Sequence, residues 1–157
     1  MSLLRPRRLS ERQQQLARIS LFSQLERGQL RIVDHLLHER HYTAGEVIFD
    51  AGEEGQGIYL VLQGSVGIFR PGVSPQPMLR LAAVNAGGFF GELSLLGDTP
   101  RVAQARAESD CRLGVISRSD FMGLLDTHAH IASRISLQLA RHLGGLLRQN
   151  AVAGSVQ

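Results

Sequence analysis

The chain has 157 residues, a length typical of one domain, and its formal net charge is +3 at pH 7. Hydrophobic residues make up 43% of the sequence, which is enough for a packed core and argues against a disordered chain. No run of about 18 uncharged apolar residues occurs, and the N-terminus lacks the apolar segment of a secretion signal. The single cysteine, Cys111, excludes an intrachain disulfide. We therefore expect a cytoplasmic protein with no membrane partner.

The basic residues are all arginine, and they cluster only in residues 5–18. A nucleic-acid surface would require clustered positive charge on one face of the domain. The alternative is a helix whose arginines face solvent, and the modest net charge favours it.

The first 40 residues are predicted to form two short helices. Leu16 and Ile19 have helical spacing within residues 9–20. Within residues 26–40 four apolar residues recur at helical spacing, namely Leu30, Val33, Leu36 and Leu37.

From residue 42 to residue 116 the pattern changes to short apolar runs that are separated by glycine-bearing turns. Six strands are predicted: Val47–Asp50, Ile58–Gln63, Ser65–Arg70, Met78–Val84, Ala103–Ala107 and Cys111–Ile116. No helix of ordinary length fits between them, so the pattern favours a sandwich or barrel over a parallel α/β sheet. Cys111 is expected to be a small buried residue of the last strand.

The last 40 residues are predicted to be helical again. Ser117 is a candidate N-cap, and Phe121, Leu124 and Leu125 form the apolar face of the helix that follows. A longer helix over residues 129–149 carries an apolar stripe, made of Ile131, Ile135, Leu139, Leu143 and Leu146. This stripe either covers the barrel or forms a seam with a second copy, and the two roles are compatible.

Residues 90–107 carry the chemistry that points to a ligand. Glu92 follows a glycine turn, and Arg101 follows a proline. A carboxylate accepts hydrogen bonds from hydroxyls, whereas a guanidinium and free amides hold an anion, so together they suit a phosphorylated sugar. The alternative is that Glu92 only balances the start of a helical turn, while Arg101 pairs on the surface with Asp98 or Glu108.

The segment Phe-Gly-Glu-Leu-Ser-Leu-Leu, followed by Thr-Pro-Arg-Val-Ala, closely resembles the phosphate-binding cassette of the cyclic nucleotide-binding domain family. That family includes the catabolite activator type of bacterial regulator and the regulatory subunits of cAMP-dependent kinase. The likeness runs from about Leu21 to Leu143 and includes the segments 45–49, 59–64 and 111–116.

The resemblance implies a mostly β fold with flanking helices. Its centre would be an eight-stranded jelly-roll β-barrel (a double-stranded β-helix), with helices before it and a helix pair after it. We expect four segments: an N-terminal helical segment at residues 1–20, the binding barrel at residues 21–126, a lid or dimerisation helix at residues 127–150, and a flexible tail at residues 151–157.

The resemblance also implies roles for the cassette residues. Gly91 would let the backbone approach the ligand, Glu92 would accept the ribose 2′-hydroxyl, and Arg101 would pair with the cyclic phosphate. The expected ligand-binding set also includes Phe90, Leu93, Ser94, Val102 and Ala103. Several of these residues would bind through backbone amides that face the phosphate.

Recognition of the base is expected to be mainly apolar. Val102 follows the arginine, where the family can carry a hydroxyl that favours cGMP, so the resemblance favours cAMP. Leu139, Leu143 and Leu146 of the long helix are the expected base lid, and we call them the lid residues below.

We therefore expect a cyclic nucleotide sensor, with cAMP as ligand and no other cofactor, that signals through its C-terminal helix to a twin subunit or an unidentified protein partner. The alternative is a structural or dimerisation module that keeps the fold without sensing. No nucleophile or acid–base set is evident, so we expect no enzyme. The chain ends at Gln157, which leaves no room for a helix-turn-helix, so sequence-specific DNA binding is not expected.

Two groups of histidines are candidates for metal ligands and are not expected to bind one. His128 and His130 lie at a predicted helix start, while His35, His38 and His41 would share part of a helix face. Neither group has the clustered cysteines or acids that usually complete a site.

Overall fold

The computed structural model describes residues 7–73, 75, 77–97 and 99–155. Within them the chain forms eight strands: β1 His38–Tyr42, β2 Val47–Phe49, β3 Gly57–Gln63, β4 Ser65–Arg70, β5 Leu79–Asn85, β6 Phe89–Phe90, β7 Gln104–Ala107 and β8 Cys111–Ser117. They form two four-stranded antiparallel sheets, in the orders β1-β8-β3-β6 and β2-β7-β4-β5. The jelly-roll expectation is confirmed, although the two sheets do not close into one hydrogen-bonded barrel.

Helices lie before, between and after the strands. They are α1 Glu11–Ala17, α2 Arg27–His35, α3 Leu93–Leu96, α4 Arg118–Thr127 and α5 Ala129–Ser155, with a 3₁₀ turn at Ser20–Phe22. Ser117 caps α4 as expected, because its hydroxyl accepts a hydrogen bond from the backbone N–H of Asp120 at 3.2 Å.

Strand β3 joins two apolar clusters because successive side chains of a strand point to opposite faces. Ile58, Leu60 and Leu62 pack against the helices, whereas Tyr59 and Val61 face the interior between the sheets. The strand is therefore buried on both faces, which explains why its sequence is continuously apolar rather than alternating.

The predicted helix over residues 26–40 is wrong in its second half. Helix α2 ends at His35, and the polar segment that follows forms β1, which pairs along its whole length with β8. His38 and His41 therefore lie on opposite faces of a strand and share no helix face with His35. The glycine turn predicted around residues 88–91 likewise contains a strand, β6, which pairs with β3.

Helix α5 packs on the domain through the first half of the predicted stripe. Ile131, Ile135 and Leu139 belong to the helix-facing core, and Leu143 packs against its edge. Arg134 on α5 also donates to the amide oxygen of Gln29 on α2 at 2.7 Å. The helix continues to Ser155, into the segment expected to be a flexible tail. Among the described residues no helix is both long and apolar enough to cross a membrane.

Candidate ligand-binding site

The cassette lies between β6 and β7, with the short helix α3 inside it. Glu92 and Arg101 are among the few buried charged side chains, with 8% and 7% of their surface exposed. The β2–β3 turn fixes the arginine's backbone, since its N–H donates to Glu53 O at 2.8 Å and its carbonyl accepts from Gly52 N at 2.7 Å. The position of Arg101 is thus set by the barrel and not by the cassette alone.

The guanidinium of Arg101 is held entirely by neutral groups. Nη1 donates to Gly91 O at 3.1 Å and to Ser94 Oγ at 2.9 Å, and Nη2 donates to Gly57 O at 3.0 Å. Its central carbon also lies 4.2 Å from the ring centroid of Phe49. We call Arg101 and these contacts the arginine end of the site.

This cation has no ion-pair partner within 4 Å in the described part of the chain. Burial lowers the pKa of Arg101, while the electrostatic effects of Tyr59, Glu53 and Glu92 raise it. Arginine stays protonated under such conditions because its ordinary pKa is so high. A buried cation with neutral partners is a position where an anion can bind favourably.

Donors remain available around this cation. A guanidinium has five N–H groups, and the bonds above leave its Nε–H and one Nη2–H without an acceptor among the described residues. The amides of Leu93, Val102 and Ala103 likewise have no partner there, whereas the Ser94 amide makes a long 3.4 Å bond to Gly91 O. This donor set is suited to a phosphate.

Two glycines make the close packing around Arg101 possible. Gly91 has a φ of +81°, and a Cβ there would lie 2.6 Å from Arg101 Nη1. A Cβ at Gly55 would overlap the hydroxyl of Ser94. Gly91 therefore provides room for the guanidinium as well as a backbone conformation that other residues rarely adopt.

Glu92 has a different kind of partner. Its Oε1 lies 3.1 Å from Nε2 of His142 on α5, and a carboxylate oxygen can only accept, so the imidazole N–H donates. The ring of His142 also packs on Phe89, with centroids 4.5 Å apart. We call Glu92, His142 and Phe89 the glutamate end of the site. Sequence reasoning missed His142, although it directly precedes the lid residue Leu143.

The other predicted site residues are placed in different environments. Phe90 is 4% exposed and stacks on Tyr59 in the core between the sheets. Val102 is 67% exposed. Of the lid residues, Leu139 is buried in the core and Leu146 is 39% exposed.

The surface-pair alternative for Arg101 finds no support. Glu108 pairs instead with Arg80, with both nitrogen–oxygen distances at 2.8 Å, and Asp98 lies outside the described residues. No cluster of three metal-ligating side chains occurs in the part of the chain that the structure describes.

A jelly roll with helices at both ends holds a buried arginine and glutamate beside amides that have no partner among the described residues, and this defines a candidate binding module for an anionic ligand. A family model described as the cyclic nucleotide-binding domain matches residues 39–128, and the chain belongs to this family. The matched region is a binding domain rather than a catalytic one.

Several similar proteins are named as regulators or regulatory subunits. The chain is 34% identical over 123 residues to the cyclic AMP receptor protein of Thermus thermophilus, which covers 78% of this chain and 56% of that protein. The crystal structure of Thermus thermophilus catabolite activator protein matches with a TM-score of 0.74 and 30% identity, over 86% of this chain and 63% of that one. The regulatory domain of Toxoplasma gondii PKA, crystallised with cAMP, matches with a TM-score of 0.72 and 25% identity. That match covers 85% of this chain and 48% of the Toxoplasma chain. The chain spans about half or less of the length of the curated relatives it matches.

Proposed function

We propose that this chain is a sensor module that binds cAMP in preference to cGMP and reports binding through α5. Residues 21–126 form the binding unit in this proposal, and residues 127–150 form the lid and output element. Family membership supports a cyclic nucleotide as the ligand class, and relatives whose names include cAMP support the choice of base.

The observation that carries the proposal is the buried Arg101 guanidinium, whose described hydrogen-bond partners are all neutral. A cyclic phosphate would supply the missing negative charge and accept from the unused Nε–H and Nη2–H. The unpartnered amides of Leu93, Val102 and Ala103 would complete its donor set. The amide of Ser94 would join them by giving up its long bond to Gly91.

The sugar and base follow from the neighbouring residues. Glu92 would accept a hydrogen bond from the ribose 2′-hydroxyl. It directly follows Gly91, whose carbonyl oxygen accepts from Arg101 Nη1. The exposed Val102 offers no side-chain donor or acceptor to a guanine edge, which favours adenine. Leu143 and the exposed Leu146 would cover the base from α5, with Leu139 fixing that part of the helix on the core.

The output would be a homodimer seam on a face of α5 that the domain does not cover. Leu137 and Leu147 are 51% and 69% exposed, and with Ala140 and Gly144 they recur at spacings of three and four. That spacing is typical of a two-helix seam. The stripe that sequence analysis considered for this role packs on the core through its first four residues, whereas its last residue, Leu146, is exposed.

Titration calorimetry with cAMP and cGMP tests the proposal. Wild type is expected to bind cAMP more tightly than cGMP. Arg101→Ala is expected to weaken cAMP binding more than tenfold, because a charge-assisted hydrogen bond contributes about 1.5–3 kcal/mol. Glu92→Gln is expected to weaken it by a comparable factor.

Two further variants serve as controls. Arg101→Lys keeps the positive charge but loses the planar, forked donor geometry of the guanidinium. Its cAMP affinity is therefore expected to lie between those of Arg101→Ala and wild type. Arg70→Ala removes an exposed arginine at the end of β4 and is expected to leave affinity unchanged. If wild type gives no heat with either nucleotide, the sensing proposal fails and the structural module is the remaining hypothesis.

A further inference from the structure

His142 reaches the carboxylate that the proposed function assigns to the ribose. Its Nε2 lies 3.1 Å from Glu92 Oε1, and its ring is held against Phe89. The side chain of Glu92 is 11% exposed, and the imidazole occupies one of the two carboxylate oxygens that a ligand hydroxyl could use. The contact comes from α5, far along the chain from the cassette.

Among the described residues, Glu92 is the charged partner that the structure records for His142. A cavity of about 330 Å³ beside the imidazole is lined by uncharged residues of the 3₁₀ turn, β5 and the β5–β6 turn, namely Ser20, Ala83, Val84, Asn85, Ala86 and Gly88. Arg18 before that turn and Arg141 on α5 are exposed to solvent. Beyond the carboxylate, Arg101 interacts electrostatically with Glu92.

We propose that His142 is a specificity-determining residue that competes with the ribose 2′-hydroxyl for Glu92, so that cyclic nucleotide binds more weakly when the imidazole is charged. The proposal rests on the proposed function and deepens it. Glu92 then has two alternative donors, the imidazole of His142 and the hydroxyl of a ligand, and the imidazole gives up this contact when the ligand binds.

The pH dependence follows from the strength of the two forms of the same hydrogen bond. Histidine is the side chain whose charge ordinarily changes between about pH 5 and pH 8. An imidazolium donor to a carboxylate makes a stronger bond than a neutral imidazole. A charged imidazole therefore makes the His142–Glu92 contact costlier to replace, whereas with a neutral imidazole only the weaker bond has to be replaced.

The chemistry of the ligand decides whether this competition occurs. A ligand with a 2′-hydroxyl replaces the imidazole, so its affinity carries the pH dependence. A 2′-deoxy ligand has no donor for Glu92 and leaves His142 in place, so its affinity is expected to be nearly independent of pH.

The experiment measures the Kd of cAMP and of 2′-deoxy-cAMP at pH 6 and pH 8. For wild type, cAMP is expected to bind about fivefold more weakly at pH 6, the size of effect that a partly exposed ion pair supports. His142→Phe keeps a ring against Phe89 but removes the donor. It is expected to bind cAMP equally at both pH values and more tightly than wild type at pH 6.

Two variants make the result specific. His142→Gln keeps a neutral N–H donor, so it is expected to abolish the pH dependence even if the Phe variant does not fold. His130→Gln changes another histidine of α5, which is exposed and has no hydrogen bond or ion pair recorded within the described part of the chain, and it is expected to retain the wild-type pH dependence.

The outcomes separate this proposal from the function on which it rests. If wild type binds neither ligand at either pH, the proposed function itself is wrong. If wild type binds cAMP but His142→Phe weakens binding at both pH values, or 2′-deoxy-cAMP shows the same pH dependence as cAMP, His142 does not compete with the ribose.

Discussion

The arginine end and the glutamate end of the site are held by different parts of the chain. Arg101 is fixed by Gly57 on β3 and by Gly91 and Ser94 of the cassette, all within the jelly roll. Glu92 makes its recorded side-chain contact with His142 of the C-terminal helix. One end is therefore complete without α5, whereas the other depends on where α5 lies.

Under the proposed function, both ends contribute to affinity, and we expect the glutamate end alone to carry the signal. The first half of α5 is fixed by Ile131 and Ile135 in the core, while residues 146–151 are exposed. A ligand group bound only at the arginine end would hold an anion without moving the helix. A group that also binds Glu92 would change the contact that ties α5 to the cassette, so signalling is expected to depend on the glutamate end.

The change expected to affect the arginine end most, apart from loss of Arg101 itself, is Gly91→Ala. The new Cβ would lie 2.6 Å from Arg101 Nη1 at a φ of +81°, so the guanidinium and the turn cannot both keep their places. We expect cAMP affinity to fall more than tenfold, because the main charge-assisted contact is displaced. Calorimetry measures the affinity, and thermal unfolding shows whether the domain still folds.

Gly97→Ala is the matched control within the same cassette. An added Cβ there meets nothing within 4 Å, and the φ of −173° is extended backbone. Affinity is expected to stay within about twofold of wild type. Equal losses in the two variants would mean that the cassette tolerates no substitution, and the close packing at Arg101 would not explain the result.

Much of the fold could be predicted because its strands bury apolar side chains. β3 and β4 were predicted within one residue at each end, since continuous apolar runs bounded by glycine turns have few other interpretations. β1 could not be predicted, because its five residues are polar and its strand conformation comes from pairing with β8. β6 was missed because two residues are too few to show a periodicity.

The site could be predicted only where its residues are close in sequence. Glu92 and Arg101 share one cassette, so their type and spacing carry a signal. His142 comes from a helix whose register on the barrel is set by the packing of Ile131 and Ile135. The sequence showed which face of that helix is apolar but not which polar residue at the edge of that face would reach Glu92.

A smaller effect is expected from Ser94→Ala, which sharpens the comparison within the arginine end. The variant removes the Oγ that accepts from Nη1 at 2.9 Å and leaves the carbonyl partners in place. We expect cAMP to bind about two- to fivefold more weakly, the contribution of one hydrogen bond among several.

Since Ser94 does not touch His142, the ratio of the Kd values of Ser94→Ala at pH 6 and pH 8 should stay as in wild type. A changed ratio would mean that the two ends are not independent, whereas Ser136→Ala on the exposed face of α5 should change neither quantity.

The smallest effect is expected from a charge pair that belongs to neither end. Arg80 on β5 donates two hydrogen bonds to Glu108, which lower the pKa of that carboxyl. A lowered pKa in the folded protein stabilises it above the carboxyl's ordinary titration range, near pH 4, and this stabilisation is lost as the pH falls through the lowered value. Arg80→Gln should therefore lower the Tm by about one degree at pH 7 and by nothing measurable near pH 2, because the pair is largely solvent-exposed. Its cAMP affinity should equal that of wild type, and a weaker affinity would show that the edge strand β5 takes part in the site.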